Sequence, residues 1–185
     1  AGYSDFVFRS ICADEGASFT YTEMVSTEAL VRSSKKTALL MEKSENEEKY
    51  AVQIFGSCPE IMAKAAIIIV ENYAPSCIDV NAGCPMPKIT KSGAGSALLS
   101  TPLLLFEILS VLVNTLSPYK IPVTLKIRSG QTCDKPLWKE AAKVAVEAGV
   151  KAITMHPRSR AQCYTGLSNT ELIGELKEEV SRYGV

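Results

Sequence analysis

The chain has 185 residues, and its 20 Lys plus Arg balance 20 Asp plus Glu, so the formal net charge is zero. Hydrophobic residues make up 46% and charged residues 22%, which excludes a disordered chain, a collagen-like repeat and a coiled coil. The length suits one domain with a real core. Neutrality argues against nucleic-acid binding through overall basicity, though not against a local basic face.

In chain order, residues 4–15 read as a helix and 18–22 as a strand. Residues 50–54 (YAVQI) read as a strand, followed by a helix over 59–72 with Pro59 in its first turn. Residues 78–81 (IDVN) form the next strand. A helix over 101–116 comes after it, with Thr101 as N-cap and Pro102 at the first position. Then come strand 123–127 (VTLKI), helix 134–148 with Gly149 as its stop, strand 152–156 (AITMH) and a charged amphipathic helix over 170–183. This β/α alternation implies parallel strands. It suits either an open doubly wound sheet or a (β/α)8 barrel. A barrel spends roughly 250 residues on eight units, about 30 each, so this length holds about six. The chain opens at Ala1 on a Gly-containing turn, and a first element is expected to precede it.

The six cysteines are scattered without a CxxC pair, and His156 is the single histidine. That argues against structural zinc and fits a reducing cytoplasm. Lys64 interrupts one apolar run, and Pro102 and Glu107 interrupt another, so no membrane span is expected.

Strand residues alternate between faces. Gln53 is out of phase with Val52 and Ile54. Asp79 and Asn81 share a face; so do Thr124, Lys126 and Arg128, and so do Thr154 and His156. The apolar phase should pack under helices. The polar phase should point into a barrel or toward a ligand at the strand C-termini, where α/β proteins bind ligands. A buried unpaired lysine is costly, and Lys126 alone could snorkel from a strand end. Gln53, Asn81, Lys126 and His156 together point to a polar cofactor site.

Residues 81–88 (NAGCPMPK), with 92–99 (SGAGSALL) shortly after, carry the strongest signal. Gly83 is expected to turn the backbone sharply off the strand. Pro85 and Pro87 are expected to stiffen the residues after Cys84 and deny them a helix. That holds Cys84 at the strand tip. A free thiol has a pKa of about 8.5, which suits a general acid that gives a proton to carbon. Pairing with His156 as a nucleophile, or simple packing in a tight turn, are the alternatives.

Residues 81–88 and 92–99 resemble the active-site signature of the tRNA-dihydrouridine synthases, FMN-dependent (β/α)8 barrels. Residues 1–9 (AGYSDFVFR), 21–25 (YTEMV), 52–56 (VQIFG), 124–130 (TLKIRSG) and 156–166 (HPRSRAQCYTG) resemble further motifs of that family in the same order. The overall character resembles the bacterial nitrogen-regulation-like branch. The resemblance implies that Cys84 gives a proton to C5 of the target uracil while reduced FMN gives hydride to C6. It implies that Gln53, Lys126, His156 and Ala1 contact the flavin. Asn81 would contact the uracil or orient the Cys84 loop, and Lys88 and Arg158 would approach substrate or phosphate. It further implies NADPH as reductant, tRNA as partner, and a target base that leaves its stack.

The expected architecture is therefore α/β: residues 1–185 as a partial TIM barrel covering roughly strands 2–6 and the end of the first βα unit. The last barrel strands, which make the phosphate site of such barrels, and the family's helical tRNA-binding domain are expected to lie outside it. A fragment of this kind is expected to bind FMN weakly or not at all and to leave open strand edges. Two rival readings are a flavin barrel dehydrogenase acting on free (dihydro)pyrimidines and a non-catalytic RNA-binding barrel module. Lys88, Lys91, Arg128, Arg158 and Arg160 are expected to form a basic mouth for RNA phosphates against a lone Asp134.

Overall fold

A computed structural model describes residues 2–185. Ala1 lies outside the described residues. Helix α1 (Phe6–Asp14) starts at Asp5, whose carboxylate accepts from the Phe8 N–H. Strands β1 (Thr20–Tyr21) and β2 (Val25–Ser26) both pair in parallel with β3 (Tyr50–Phe55), so they form one strand interrupted at residues 22–24. The short helices α2 (Thr27–Val31) and α3 (Lys35–Ala38) connect β2 to β3. Next come α4 (Pro59–Tyr73), β4 (Cys77–Ala82), α5 (Pro87–Thr90), α6 (Pro102–Leu116) and β5 (Val123–Arg128). A two-stranded antiparallel hairpin of β6 (Gly130–Thr132) and β7 (Lys135–Pro136) precedes α7 (Trp138–Ala148), β8 (Ala152–His156) and α8 (Glu171–Ser181).

The main sheet runs β1-β3-β4-β5-β8, with every pairing parallel. It is a curled half-barrel of parallel strands, part of a (β/α)8 barrel. The apolar phase faces the helices as expected. Val52, Ile54, Ile78, Val80, Leu125 and Ile127 are all fully buried, and they join Met62, Ile69, Leu105, Leu109 and Ala145 in one core.

Helix α6 and the 3-10 turn after it (Ser117–Tyr119) are apolar enough over Pro102–Tyr119, at a mean hydropathy of 1.4, to match a membrane span by length and composition. The expectation that Glu107 interrupts this run is corrected. The helix nevertheless buries Leu105, Ile108, Leu109, Leu112 and Leu116 in the core, between α4 and α7.

Three further local expectations are corrected. Helix α7 starts at Trp138 rather than at residue 134, because Lys135 and Pro136 belong to the hairpin. The Ser129 carbonyl accepts from both Leu137 and Trp138 N–H and fixes the helix start. Thr101 precedes α6 but makes no side-chain cap; its hydroxyl turns back to the Leu98 carbonyl. Pro87 does not deny a helix but opens α5 at its first position, where its missing N–H costs nothing.

Candidate active site

The parallel register dictates what meets at the C-terminal ends of the strands. Gln53 lies opposite Asp79, and Asp79 opposite Thr124. One pleat further on, Asn81 lies opposite Lys126, and Lys126 opposite Thr154; after another, Arg128 lies opposite His156. These polar side chains turn away from the helices; Asp79 and Thr124 stay buried beneath, and the others reach a cavity of about 740 Å³, lined among others by Gln53, Asn81, Cys84, Lys126, Arg128 and His156. That size is ordinary for a cofactor or ligand site.

Cys84 is buried, directly beyond β4. Asn81 shapes its turn: Oδ1 accepts from the N–H groups of Gly83 at 3.1 Å and Cys84 at 2.9 Å. An Asn side chain that bonds the backbone two and three residues on mimics a tight turn by itself. The expected glycine mechanism is therefore corrected, since Gly83 does not take the left-handed conformation. Gly95 is the glycine this segment requires. It sits at φ +61°, and a Cβ there would lie 2.8 Å from the Cys84 carbonyl oxygen. The Ser96 N–H donates to that same carbonyl, so the 3-10 turn Gly95–Ser100 backs the Cys84 loop.

The electrostatics result from burial and crowding. Burial pushes the Lys126 ammonium below the usual lysine value, opposed by Asp79 and reinforced by Arg128. Burial also lowers His156, and Arg128, Lys126 and Arg158 add to it, bringing its pKa to about 4. His156 is therefore neutral at pH 7. Arg158 Nη1 lies 3.2 Å from His156 Nε2. A guanidinium can only donate, so Nε2 accepts and Nδ1 carries the proton.

Among the residues expected at the site, the structure brings Gln53, Asn81, Cys84, Lys126 and His156 to one cavity. Arg158 stands behind His156 and donates to the Gly166 carbonyl rather than lining the cavity wall. Lys88 is exposed on α5, outside the lining. Arg128 departs from the expected basic mouth: it is 2% exposed, and its guanidinium donates to the carbonyls of Gly83, Ser159 and Cys163. Arg160 is likewise held, by Gln131 and Thr90.

Three residues were not anticipated as parts of the site. Asp79 is buried beneath Gln53. Tyr164 lines the cavity, stacked 5.5 Å from the Arg128 guanidinium. The Glu23 carboxylate accepts from the N–H groups of Gly2, Tyr3 and Ser4, which ties the N-terminal turn to the rim. Asp79 was visible as a polar residue in phase with Asn81; the other two depend on long-range contacts. Among the described residues, no group of three His, Cys, Asp or Glu side chains is placed to hold a metal ion.

A parallel half-barrel with a polar cavity at its strand C-termini, and a cysteine on the loop after β4, defines a ligand-binding barrel of the (β/α)8 class. The family model described as dihydrouridine synthase (Dus) matches residues 1–185, and the chain belongs to that family. It is 51% identical over 186 residues to the probable tRNA-dihydrouridine synthase of Treponema pallidum (strain Nichols), covering 100% of this chain and 55% of that relative. It is 41% identical to tRNA-dihydrouridine synthase B of Pasteurella multocida (strain Pm70), covering 98% of this chain and 53% of the relative. The corresponding enzyme of Escherichia coli (strain K12) is 40% identical, with 98% and 55% covered. The chain thus spans about half the length of the curated relatives it matches.

Proposed function

We propose that the chain forms part of the catalytic barrel of an enzyme that reduces the C5=C6 bond of uridine in tRNA to dihydrouridine. The observation that carries this reading is the Cys84 thiol at a cavity whose other walls are Gln53, Asn81, Lys126 and His156. Membership of the dihydrouridine synthase family supports it, as do relatives named tRNA-dihydrouridine synthase.

The lining suits FMN. It combines apolar surface with a few fixed polar groups, among them the Lys126 ammonium, the Arg128 guanidinium, the neutral His156 imidazole and the two linked amides of Gln53 and Asn81. Gln53, Lys126 and His156 would hold the flavin ring. Reduced FMN, when bound, supplies a hydride to C6 of the uracil, and NADPH is the proposed electron donor. Cys84 then gives the thiol proton to C5, so that a hydride and a proton together complete the reduction. Lys126 sets positive charge beside groups that become electron-rich. Arg128, hydrogen-bonded to the Gly83 carbonyl, keeps a second positive charge next to the thiolate that remains. Neutral His156 adds no further charge to this cationic wall. Exposed Lys88 on α5 and half-buried Arg158 on the loop after β8 would meet RNA phosphates.

The test is dihydrouridine formation in tRNA lacking the modification, measured by mass spectrometry on the full-length protein that carries this segment and on its Cys84→Ala variant. The variant is expected to lose the product while keeping its flavin spectrum. An unchanged product yield overturns the role of Cys84. Turnover of free dihydropyrimidines in place of tRNA overturns the substrate.

A further inference from the structure

We propose that Asp79 is a positioning residue whose buried carboxylate, acting through two side-chain amides, holds the backbone of the Cys84 loop in place. Asp79 is 1% exposed and has no path to a ligand in the cavity. Its two oxygens have different partners. Oδ1 accepts from the Thr124 hydroxyl at 2.6 Å, and Oδ2 accepts from Gln53 Nε2 at 2.7 Å. Gln53 Oε1 in turn accepts from Asn81 Nδ2 at 2.8 Å. Asn81 Oδ1 then accepts from the N–H groups of Gly83 and Cys84.

This relay has a direction. An amide has a donor end and an acceptor end, and a carboxylate only accepts. Facing Asp79, Gln53 must present its NH2 group, which leaves its oxygen toward Asn81. Asn81 must then present its own NH2 group to Gln53, which leaves its oxygen for the two backbone N–H groups. Reversing either amide sets donor against donor or acceptor against acceptor. Asp79 therefore anchors an order that ends at the Cys84 backbone. Asp79, Thr124 and Asn81 are buried, so a link broken at the Asp79 end is not readily replaced by water. On balance burial raises the Asp79 carboxyl above the usual carboxylate range, although Thr124, Gln53 and Lys126 oppose it. The order of the relay survives protonation, because a proton on Oδ1 is taken by the Thr124 hydroxyl, which can reverse to accept, and Oδ2 still accepts from Gln53.

The functional weight of this inference rests on Cys84 as proton donor; the structural claim does not. It is tested by hydrogen exchange at the Gly83 and Cys84 amides and by the iodoacetamide alkylation rate of Cys84, both read peptide by peptide in the full chain. Asp79→Leu removes the acceptor and is expected to raise both rates roughly tenfold, the size expected for one or two lost hydrogen bonds. Asp79→Asn is expected to restore rates near wild type. Its NH2 group can face Thr124, whose hydroxyl reverses to accept, while its oxygen still faces Gln53. Unchanged rates in a folded Asp79→Leu protein overturn the proposal; so does an Asp79→Asn protein as loose as Asp79→Leu. If Asp79→Leu does not fold, Gln53→Met cuts the same relay one link later, and unchanged rates there are equally fatal. An active Cys84→Ala enzyme would remove the catalytic reading and leave these rates to decide on Asp79.

Discussion

Arg128 Nε donates to the Gly83 carbonyl at 2.8 Å across 45 residues of chain. The same guanidinium donates to Ser159 and Cys163 carbonyls. It thereby ties the loop after β4 to the loop after β8. A lysine has no planar fork and cannot serve the three acceptors at this geometry. Arg128→Lys is expected to cost about 2 kcal/mol, in the range for hydrogen bonds to charged groups. Denaturant unfolding measures this, and a midpoint equal to wild type would show that the clamp adds nothing.

His156 is the only histidine, so its ring protons give an isolated NMR signal. The expected midpoint is about 4 instead of the ordinary value of about 6.5. The folded value is depressed, so the unfolded chain takes up a proton first as pH falls. The contribution of His156 to stability is therefore complete above the ordinary value and declines toward the folded value. His156→Gln should flatten that part of the stability profile. A ring titrating near its ordinary value would refute the burial of His156 and its crowding by Arg128, Lys126 and Arg158.

Behind the N-terminal rim of the cavity, Arg9 and Glu47 form a buried ion pair at 2.8 Å, with Arg9 also reaching the carbonyl of the lining residue Ser4. Burial raises the Glu47 carboxyl, but bonds from Arg9, Thr20 and Ser44 outweigh it and leave the group below its usual range. Arg9→Met strands a buried carboxylate and is expected to cost about 3–5 kcal/mol at neutral pH. The loss should shrink in acid, because the wild-type pair loses its advantage as pH falls through the lowered value, whereas the stranded carboxyl is relieved by protonation. Urea melts of both proteins at pH 7 and pH 4 check the size and the sign.

Gly95→Ala and Gly83→Ala should behave differently although both glycines flank Cys84. At Gly95 the added methyl meets the Cys84 carbonyl oxygen at 2.8 Å, in a left-handed conformation; at Gly83 the nearest atom is 3.4 Å away. The first substitution is expected to cost more than about 1 kcal/mol and to shift Cys84. The second is expected to leave its alkylation rate near wild type. Equal behaviour would mean that the 3-10 turn behind Cys84 yields freely.

Much of this was legible in period and punctuation. The period-2 pattern placed Gln53, Asn81, Lys126 and His156 on one face, and they line one cavity. Pro59 and Gly149 marked real helix ends. Other features depend on distance along the chain. The hairpin at 130–136 hid the true start of α7, because Lys135 and Pro136 look like a helical first turn until Gly130 pairs with Pro136. Asp79 showed its phase, but its partners Gln53 and Thr124 lie 26 and 45 residues away. Arg128 read as a surface charge because nothing local announces three backbone carbonyls waiting for it.

The ladder Gln53–Asp79–Thr124 also bears on how the sheet avoids misassembly. Were β4 to slide by one residue, Asp79 and Asn81 would be driven among the aliphatic side chains of α4 and α6, and Ile78 and Val80 would face the cavity. An unpaired carboxylate among leucines is prohibitive. The same hydrogen bonds that organise the pocket thus also specify the register of β4, because a sheet shifted by one residue forfeits them and buries a charge.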